Sequence, residues 1–141
     1  MRSVSVVVRY RGEPKRDGHW HLLEVMFMED CVFCRIVAGE IGADVVYSDD
    51  QLLAFRDIDP KAPVHILIIP KKHIETLFDL EDADSGTMGR IVGCAGELAR
   101  EEGLMESGFR LVANCGDQAG QSVPHIHFHL MGGRSLTWPP G

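Results

Sequence analysis

Short hydrophobic runs separated by turn residues predict five β-strands along the chain. The runs lie at 45–47, 52–56, 64–70 (VHILIIP), 109–114 (FRLVAN) and 125–131 (HIHFHLM). Ser48-Asp49-Asp50 separates the first two runs and has the composition of a hairpin turn. Because the strands do not alternate strictly with helices, the pattern predicts an α+β domain with one mostly antiparallel sheet.

One longer segment has the period of an amphipathic helix. Its apolar positions recur at i, i+3, i+4, i+7, i+10 and i+11, namely Met88, Ile91, Val92, Ala95, Leu98 and Ala99. A helix is therefore expected over 82–102, ending at Gly103. The segment also contains Gly86, Gly89, Gly93 and Gly96. Each glycine costs about 0.5–1 kcal/mol relative to alanine, so close packing against these positions is expected.

A shorter helix is expected at CVFCRIVAGE, residues 31–40, and it should break at Gly39. Residues 1–28 differ from the rest, because turn formers and charges occur there without a sustained period. We interpret 1–28 as a poorly ordered N-terminal extension, either a start codon assigned too early or a tail without function. Residues 29–141 are expected to form the domain.

The last predicted strand carries three histidines at alternate positions. In HIHFHLMGGR, His125, His127 and His129 would share one face, because successive side chains of a strand point to opposite faces. Such a row suits either metal binding or acid–base and nucleophilic chemistry at a phosphate. Three ligands from one strand are geometrically awkward for a single ion, since such sites usually recruit ligands from different strands.

The loop before this strand favours the phosphate interpretation. Gly120, Gln121 and Ser122 directly precede the histidine row. Glycine lets the backbone approach a ligand closely, and exposed amides with a serine hydroxyl can hold phosphate oxygens. Alone, such a loop is an ordinary hairpin connection. Beside three aligned histidines, a phosphate site is favoured.

Composition narrows the class of partner. The 141 residues are 45% hydrophobic and 25% charged, which is typical of an ordinary soluble domain. The net charge of −7 argues against nucleic acid as a partner, because backbone binding needs clustered Lys and Arg. No apolar run approaches the roughly 18 residues of a membrane span. Four cysteines are too few for a disulfide-stapled secreted domain, so a cytoplasmic location is expected.

The run GQSVPHIHFHLMGGR resembles the His-φ-His-φ-His-φ-φ signature of the histidine-triad (HIT) family of nucleotide hydrolases and transferases, φ being apolar. The resemblance extends over CVFCRIVAGEI, LLAFRDIDPKAPVHILIIPKKHI, RLVANCGDQAGQS and the terminal WPPG, about residues 31–141. It is greatest to the Hint branch, the purine nucleoside phosphoramidases. It implies a HIT-like fold: a five-stranded, mostly antiparallel sheet with one long and one short helix. The tail around Trp138 implies a homodimer in which the sheet continues across the interface between the two subunits.

The resemblance also implies roles for the histidine row and its loop. His127 would attack the α-phosphorus of a nucleotide and form a nucleotidyl-histidine, which water then hydrolyses. A neutral imidazole is nucleophilic at pH 7 without prior activation, and a backbone carbonyl would fix its tautomer. His129 would bind the phosphate oxygens, and Ser122 would help the leaving amine depart. Gly120 and Gln121 would line the phosphate cradle.

Three further residues correspond to nucleotide contacts. By resemblance, Asp57 accepts both ribose hydroxyls, Ile58 packs against the base and Asn114 makes a polar contact close to the triad. From local sequence alone, Asp57 is equally a strand-end turn acid and Asn114 a cap of the loop. The implied substrates are purine nucleoside 5′-phosphoramidates of the AMP type, or aminoacyl-adenylates. Alternatives are a dinucleoside polyphosphate hydrolase, a nucleotidyl transferase, and a non-enzymatic nucleotide-binding regulator.

Two cysteines raise the question of a metal again. In many bacterial relatives such a pair binds structural zinc together with two histidines, which would make the ligands here Cys31, Cys34, His73 and His125. A closed Cys2His2 set contributes to folding rather than catalysis, so the chemistry itself requires no cofactor. The alternatives are a metal-free pair of thiols and a redox dithiol, although the β-α-β context of thioredoxin-type pairs is absent.

Overall fold

The computed structural model describes residues 30–141, so the expectation for the N-terminal extension lies outside the described residues. The elements are α1 (Val32–Val37), β1 (Val45–Ser48), β2 (Leu52–Arg56), β3 (Val64–Pro70), α2 (Ser85–Glu101), β4 (Phe109–Ala113) and β5 (Phe128–Gly132). Short 3-10 turns at Leu77–Asp79 and Asp82–Asp84 precede α2. The described strands form one antiparallel sheet in the order β1-β2-β3-β5-β4, which confirms the predicted α+β fold.

The two helices cover opposite faces of the sheet, because side chains alternate along each strand. On one face, α2 packs against even-numbered residues of β2 and β3, such as Ile66 and Ile68. On the other face, α1 packs against odd-numbered residues, such as Leu67 and Ile69. Every residue of the central strand β3 is buried. The continuous apolar run VHILIIP thus reflects a strand covered on both faces.

The last strand begins later than the sequence predicts. β5 starts at Phe128, whereas the pattern of alternating residues suggested a start at His125. Before β5 the backbone makes an isolated long-range hydrogen bond instead: the N–H of Ile126 donates to the carbonyl of Ile74 at 2.8 Å. Phe128 and Leu130 still face the core beneath α2, as expected. His129 therefore points to the opposite face, which α1 partly covers.

The glycines of α2 do not have the close packing that their cost predicts. A Cβ atom built on Gly86, Gly89, Gly93 or Gly96 would meet nothing within 4 Å among the described residues. Val92 lies beside them and is 58% exposed. The expectation of close packing against these glycines is therefore wrong within one chain, and this face of α2 is open.

Among residues 30–141, which the structure describes, no helix has the length and hydropathy that crossing a membrane requires.

The hairpin between β1 and β2 is tied to α2 through Asp49. The carboxylate of Asp49 accepts hydrogen bonds from the Tyr47 hydroxyl at 2.7 Å and from the backbone N–H groups of Gln51 and Leu52 at 2.8 Å. It also accepts one from the guanidinium of Arg90 on α2. These contacts join the expected turn to the long helix.

Replacing Asp49 with alanine should lower the free energy of unfolding by about 1–2 kcal/mol, because several donors lose a charged acceptor. Urea denaturation would measure this, with Asp50→Ala as the matched control, since that side chain is 88% exposed. The Tyr47 hydrogen bond is the main cause that holds the pKa of Asp49 well below its usual range. The Asp49 contribution should therefore be complete above about pH 4 and be lost as the pH falls below it. Equal losses in both variants would contradict this assignment.

Candidate functional site

The side chain of His127 is buried and held at one ring nitrogen. Its Nδ1 lies 2.8 Å from the backbone carbonyl of His125, so Nδ1 carries the proton and donates it. No described residue hydrogen-bonds to its Nε2. Among the described residues every fully buried side-chain nitrogen or oxygen has a partner, so this Nε2 reaches solvent. His127 thus presents an unprotonated nitrogen outward in a fixed tautomer.

A chain of hydrogen bonds fixes the tautomer of His129 as well. The N–H of Lys61 donates to Nδ1 of His65 at 3.0 Å, so the proton of His65 sits on Nε2. That Nε2 donates to Nδ1 of His129 at 2.9 Å, which leaves His129 with its proton on Nε2. Burial, and then His127 and His65, lower the pKa of His129 to about 4. At neutral pH, His129 is therefore an uncharged N–H donor beside His127, with the two rings 5.1 Å apart.

The first histidine of the row belongs to a different cluster. Nδ1 of His125 lies 3.4 Å from Sγ of Cys31, 3.5 Å from Sγ of Cys34 and 3.2 Å from Nδ1 of His73. Sγ of Cys34 is 3.2 Å from Nδ1 of His73. All four ligand atoms lie within 4.8 Å of one another. The structure brings together the four residues that the resemblance implied as a metal site.

The donor set of this cluster fits Zn²⁺. A tetrahedral zinc ion would separate two nitrogen ligands by about 3.3 Å and a nitrogen from a sulfur by about 3.6 Å. Nε2 of His125 donates to the carbonyl of Pro70 at 2.8 Å, which directs the unprotonated Nδ1 at the cluster. Burial lowers the pKa of His125 to about 4, so its imidazole is neutral. Burial and the neighbouring Cys31 raise the pKa of Cys34 to about 12, so its thiolate needs a cation.

Comparison with models of protein families identifies the family of the chain. The model that describes the HIT domain matches residues 38–136 of the chain. The chain belongs to the HIT domain family. This finding confirms the family that the sequence resembles and the fold that the resemblance implied. The branch within the HIT family stays a prediction.

Individual relatives cover most of this HIT chain. A 14 kDa zinc-binding protein of Brassica juncea is 51% identical over 114 residues, which cover 79% of this chain and 100% of that protein. The crystal structure of a HIT family hydrolase from Legionella pneumophila is 56% identical, with a TM-score of 0.78 over 79% of this chain and 100% of that one. A histidine triad nucleotide-binding protein from Candida albicans is 32% identical, with a TM-score of 0.68 over 78% and 83%.

The HIT chain places Asp57 and Ile58 at the end of β2, on the border of the triad. One carboxylate oxygen of Asp57 accepts the N–H of Asp59 at 2.8 Å, as a turn acid would. The other lies 3.4 Å from Nε2 of His65. Ile58 is fully exposed. The turn interpretation of Asp57 therefore accounts for one oxygen, and the second oxygen faces the histidines.

The loop before the triad is braced by Gln121 rather than left open. The side-chain amide of Gln121 donates to the carbonyls of Glu75 at 2.7 Å and Val123 at 3.1 Å, and it accepts the N–H of Gly116 at 3.0 Å. Gly120 has a φ of +85°, a conformation that favours glycine. The side chain of Ser122 is exposed and makes no hydrogen bond to a described residue. Gln121 thus shapes the loop, with its amide already engaged.

A cavity of about 540 Å³ opens beside His129 on this face of the HIT sheet. The predicted site residue Asn114 lines it, and so do residues that sequence analysis did not single out: Lys61, Arg110, Gln118 and the terminal Pro140 and Gly141. Arg110 donates to the carbonyls of Leu136 at 3.3 Å and Thr137 at 2.9 Å, which holds the C-terminal tail. The two-residue period of a strand could have indicated Arg110, because Arg110, Val112 and Asn114 occupy every second position of FRLVAN and so share one face.

Proposed function

We propose that the protein hydrolyses purine nucleoside 5′-phosphoramidates of the AMP type, or else aminoacyl-adenylates, through a covalent nucleotidyl-histidine on His127. The observation that carries the proposal is the hydrogen bond from Nδ1 of His127 to the His125 carbonyl at 2.8 Å, which leaves an Nε2 lone pair free. Nε2 attacks the α-phosphorus while the bond from phosphorus to the leaving nitrogen breaks, and that nitrogen takes up a proton from solvent and departs as the amine. In an aminoacyl-adenylate the bond that breaks is the one to the carboxylate oxygen, and the amino acid departs as its carboxylate. Water then attacks the same phosphorus and releases the nucleotide and His127.

The neighbouring groups supply what this reaction needs. The Nε2–H of His129 would donate to a phosphate oxygen and stabilise the charge that develops there. Gly120 and the backbone of the loop would approach the phosphate closely, and the Ser122 hydroxyl would assist the leaving nitrogen. Asn114 lies on the same cavity as His129. Gln121 acts by holding the loop in place.

The nucleoside would lie over the end of β2. The Asp57 oxygen that faces His65 would accept the ribose hydroxyls, while its partner oxygen keeps the turn. Ile58 is fully exposed, and a purine base lying over it would bury its side chain. A purine nucleotide therefore fits the polar and apolar groups on this edge.

We also propose that Cys31, Cys34, His73 and His125 hold a structural Zn²⁺. The ligand distances and the neutral, oriented His125 support this, as does the similarity to a protein described as zinc-binding. When bound, the ion would join α1 to the segment after β3 and to the start of the histidine row.

A homodimer is proposed from two open surfaces. β4 forms an edge of the described sheet, and the glycine face of α2 is uncovered, with Val92 58% exposed. An unpaired edge readily accepts another strand, and small residues allow close approach of a second helix. Sedimentation equilibrium should give twice the chain mass of 15.6 kDa at micromolar concentration. A mass of one chain at every concentration would contradict the dimer.

The proposed activity is tested by comparing two substrates on the wild-type protein. An adenosine 5′-phosphoramidate with a fluorescent amine should be hydrolysed much faster than a diadenosine polyphosphate. The reverse preference would favour a dinucleoside polyphosphate hydrolase, and transfer to phosphate instead of water would favour a nucleotidyl transferase. Binding of AMP without turnover of either substrate would favour a regulatory protein.

A further inference from the structure

The candidate metal cluster and the candidate nucleophile share one residue. The imidazole of His125 belongs to the cluster through Nδ1, which lies 3.2 Å from Nδ1 of His73. The backbone carbonyl of the same residue accepts the Nδ1–H of His127 at 2.8 Å. The position of that carbonyl follows the position of His125. Whatever fixes His125 therefore also fixes the acceptor that sets the tautomer of His127.

A second contact connects the cluster to His127. Phe33 lies between Cys31 and Cys34 on α1, and it is only 6% exposed. Its ring packs edge-on against His127, with centroids 5.1 Å apart, and against His125 at 5.8 Å. Cys31 also accepts the N–H of Cys34 and thereby caps the start of α1. The thiols that would bind the metal thus place an aromatic ring on the nucleophile.

His127 has few other polar or aromatic contacts, although its side chain is buried. Among the described residues, the His125 carbonyl is its side chain's only hydrogen-bond partner, and ring contacts come from Phe33 and His129. Two of these three contacts depend on the cluster: the carbonyl belongs to His125, and Phe33 lies between the two cysteines.

We propose that the cluster of Cys31, Cys34, His73 and His125 positions His127 for catalysis, so that an intact, metal-filled cluster keeps its Nε2 unprotonated and aimed at the phosphate. The consequence for the rate rests on the proposed function. Without the ion, the imidazole of His125 keeps its Nε2 contact to the Pro70 carbonyl but loses the bond at Nδ1, so we expect the backbone carbonyl of His125 to be held less firmly. The tautomer with a proton on Nε2 then becomes populated, and that tautomer has no lone pair for attack. Nucleotide affinity should change little, because Asp57 and Ile58 lie at the end of β2.

The test removes one ligand, His73, that makes no hydrogen bond and no ring contact to His127. His73→Ala deletes a half-buried ligand whose side-chain hydrogen bonds and ring contacts to described residues are all within the cluster. Zinc content, AMP affinity and the single-turnover rate would be measured together. We expect loss of zinc, AMP affinity within about twofold of wild type, and a single-turnover rate about 10–100-fold lower, the usual range for groups that orient a ligand or a catalytic residue. Cys115→Ser, outside the cluster, is the control and should match wild type in all three.

The ¹⁵N spectrum of the imidazoles reads the positioning directly. In zinc-loaded protein, His127 should show one protonated and one unprotonated ring nitrogen, assigned by comparison with His127→Ala. In His73→Ala the two signals should move toward each other as the tautomers exchange. An unchanged His127 tautomer and an unchanged rate in zinc-free protein would overturn the inference.

Phe33→Leu keeps the proposal testable if His73→Ala does not fold. This variant retains all four ligands and should keep zinc, yet it should slow single turnover and broaden the His127 signals. Zinc-loaded Phe33→Leu with wild-type rate and spectrum would contradict the positioning role. If wild-type protein does not turn over the phosphoramidate, the proposed function fails, while the ¹⁵N comparison still decides whether the cluster orients His127.

Discussion

Replacement of His127 with alanine should reduce single-turnover hydrolysis of an adenosine 5′-phosphoramidate by 10³-fold or more, equivalent to about 4 kcal/mol of barrier. The nucleophile and the covalent intermediate disappear together, and water would have to displace the amine directly. AMP should still bind, because Asp57, Ile58 and His129 remain. Rapid-quench kinetics would measure the rate, and calorimetry would measure the affinity.

The controls separate lost chemistry from a damaged fold. His19→Ala removes a histidine to which the sequence assigns no role, and it should behave as wild type. His127→Gly should be as slow as His127→Ala, and added imidazole should partly restore its turnover by occupying the space of the lost ring. If both His127 variants keep the wild-type rate, the site binds nucleotides without using His127 as a nucleophile.

Replacement of both thiols of the cluster should lower the free energy of unfolding more than replacement of Asp49 does. The double variant Cys31→Ser, Cys34→Ser should hold no zinc, and its free energy of unfolding should fall by about 4 kcal/mol when the wild type is measured with free zinc at a thousandfold its Kd. The ion stabilises only the folded chain, in which the four ligands meet. Urea denaturation with and without a chelator would show the difference.

Cys115→Ser serves as the matched control for this experiment, because it removes a free thiol outside the cluster. Its unfolding should follow the wild type and should shift equally when zinc is chelated. Wild-type protein that binds no zinc, and unfolds at the same urea concentration as the double variant, would contradict the structural metal site. In that case the metal-free pair of thiols would be the better interpretation.

The strands in the centre of the sheet were predictable because burial on both faces leaves a continuous apolar run. VHILIIP matches β3 at both ends, and 52–56 matches β2. The start of β5 was not predictable from alternation, which continues through His125 although the backbone there pairs with Ile74 outside the ladder. A two-residue period shows which side chains share a face, but it does not show where a strand joins its neighbours.

The residues that form the site were predictable from the sequence, whereas the contacts that hold them in place were less so. The four candidate metal ligands meet as the resemblance implied, although they come from three separate segments of the chain. The bracing role of Gln121 depends on the carbonyl of Glu75, 46 residues earlier, and no local pattern contains that contact. The closeness of the C-terminal tail to the cavity depends in the same way on Arg110. Such long-range contacts arise only once the sheet has formed.

Both ends of β3 hold a histidine of the triad. His65, near its start, donates to His129, and the carbonyl of Pro70, its last residue, accepts from His125. The two anchors are five residues apart, about 17 Å along an extended strand. The length of the central strand therefore sets the distance between the candidate metal cluster and the candidate phosphate site. A single-residue deletion within β3 should therefore misalign both ends of the site at once.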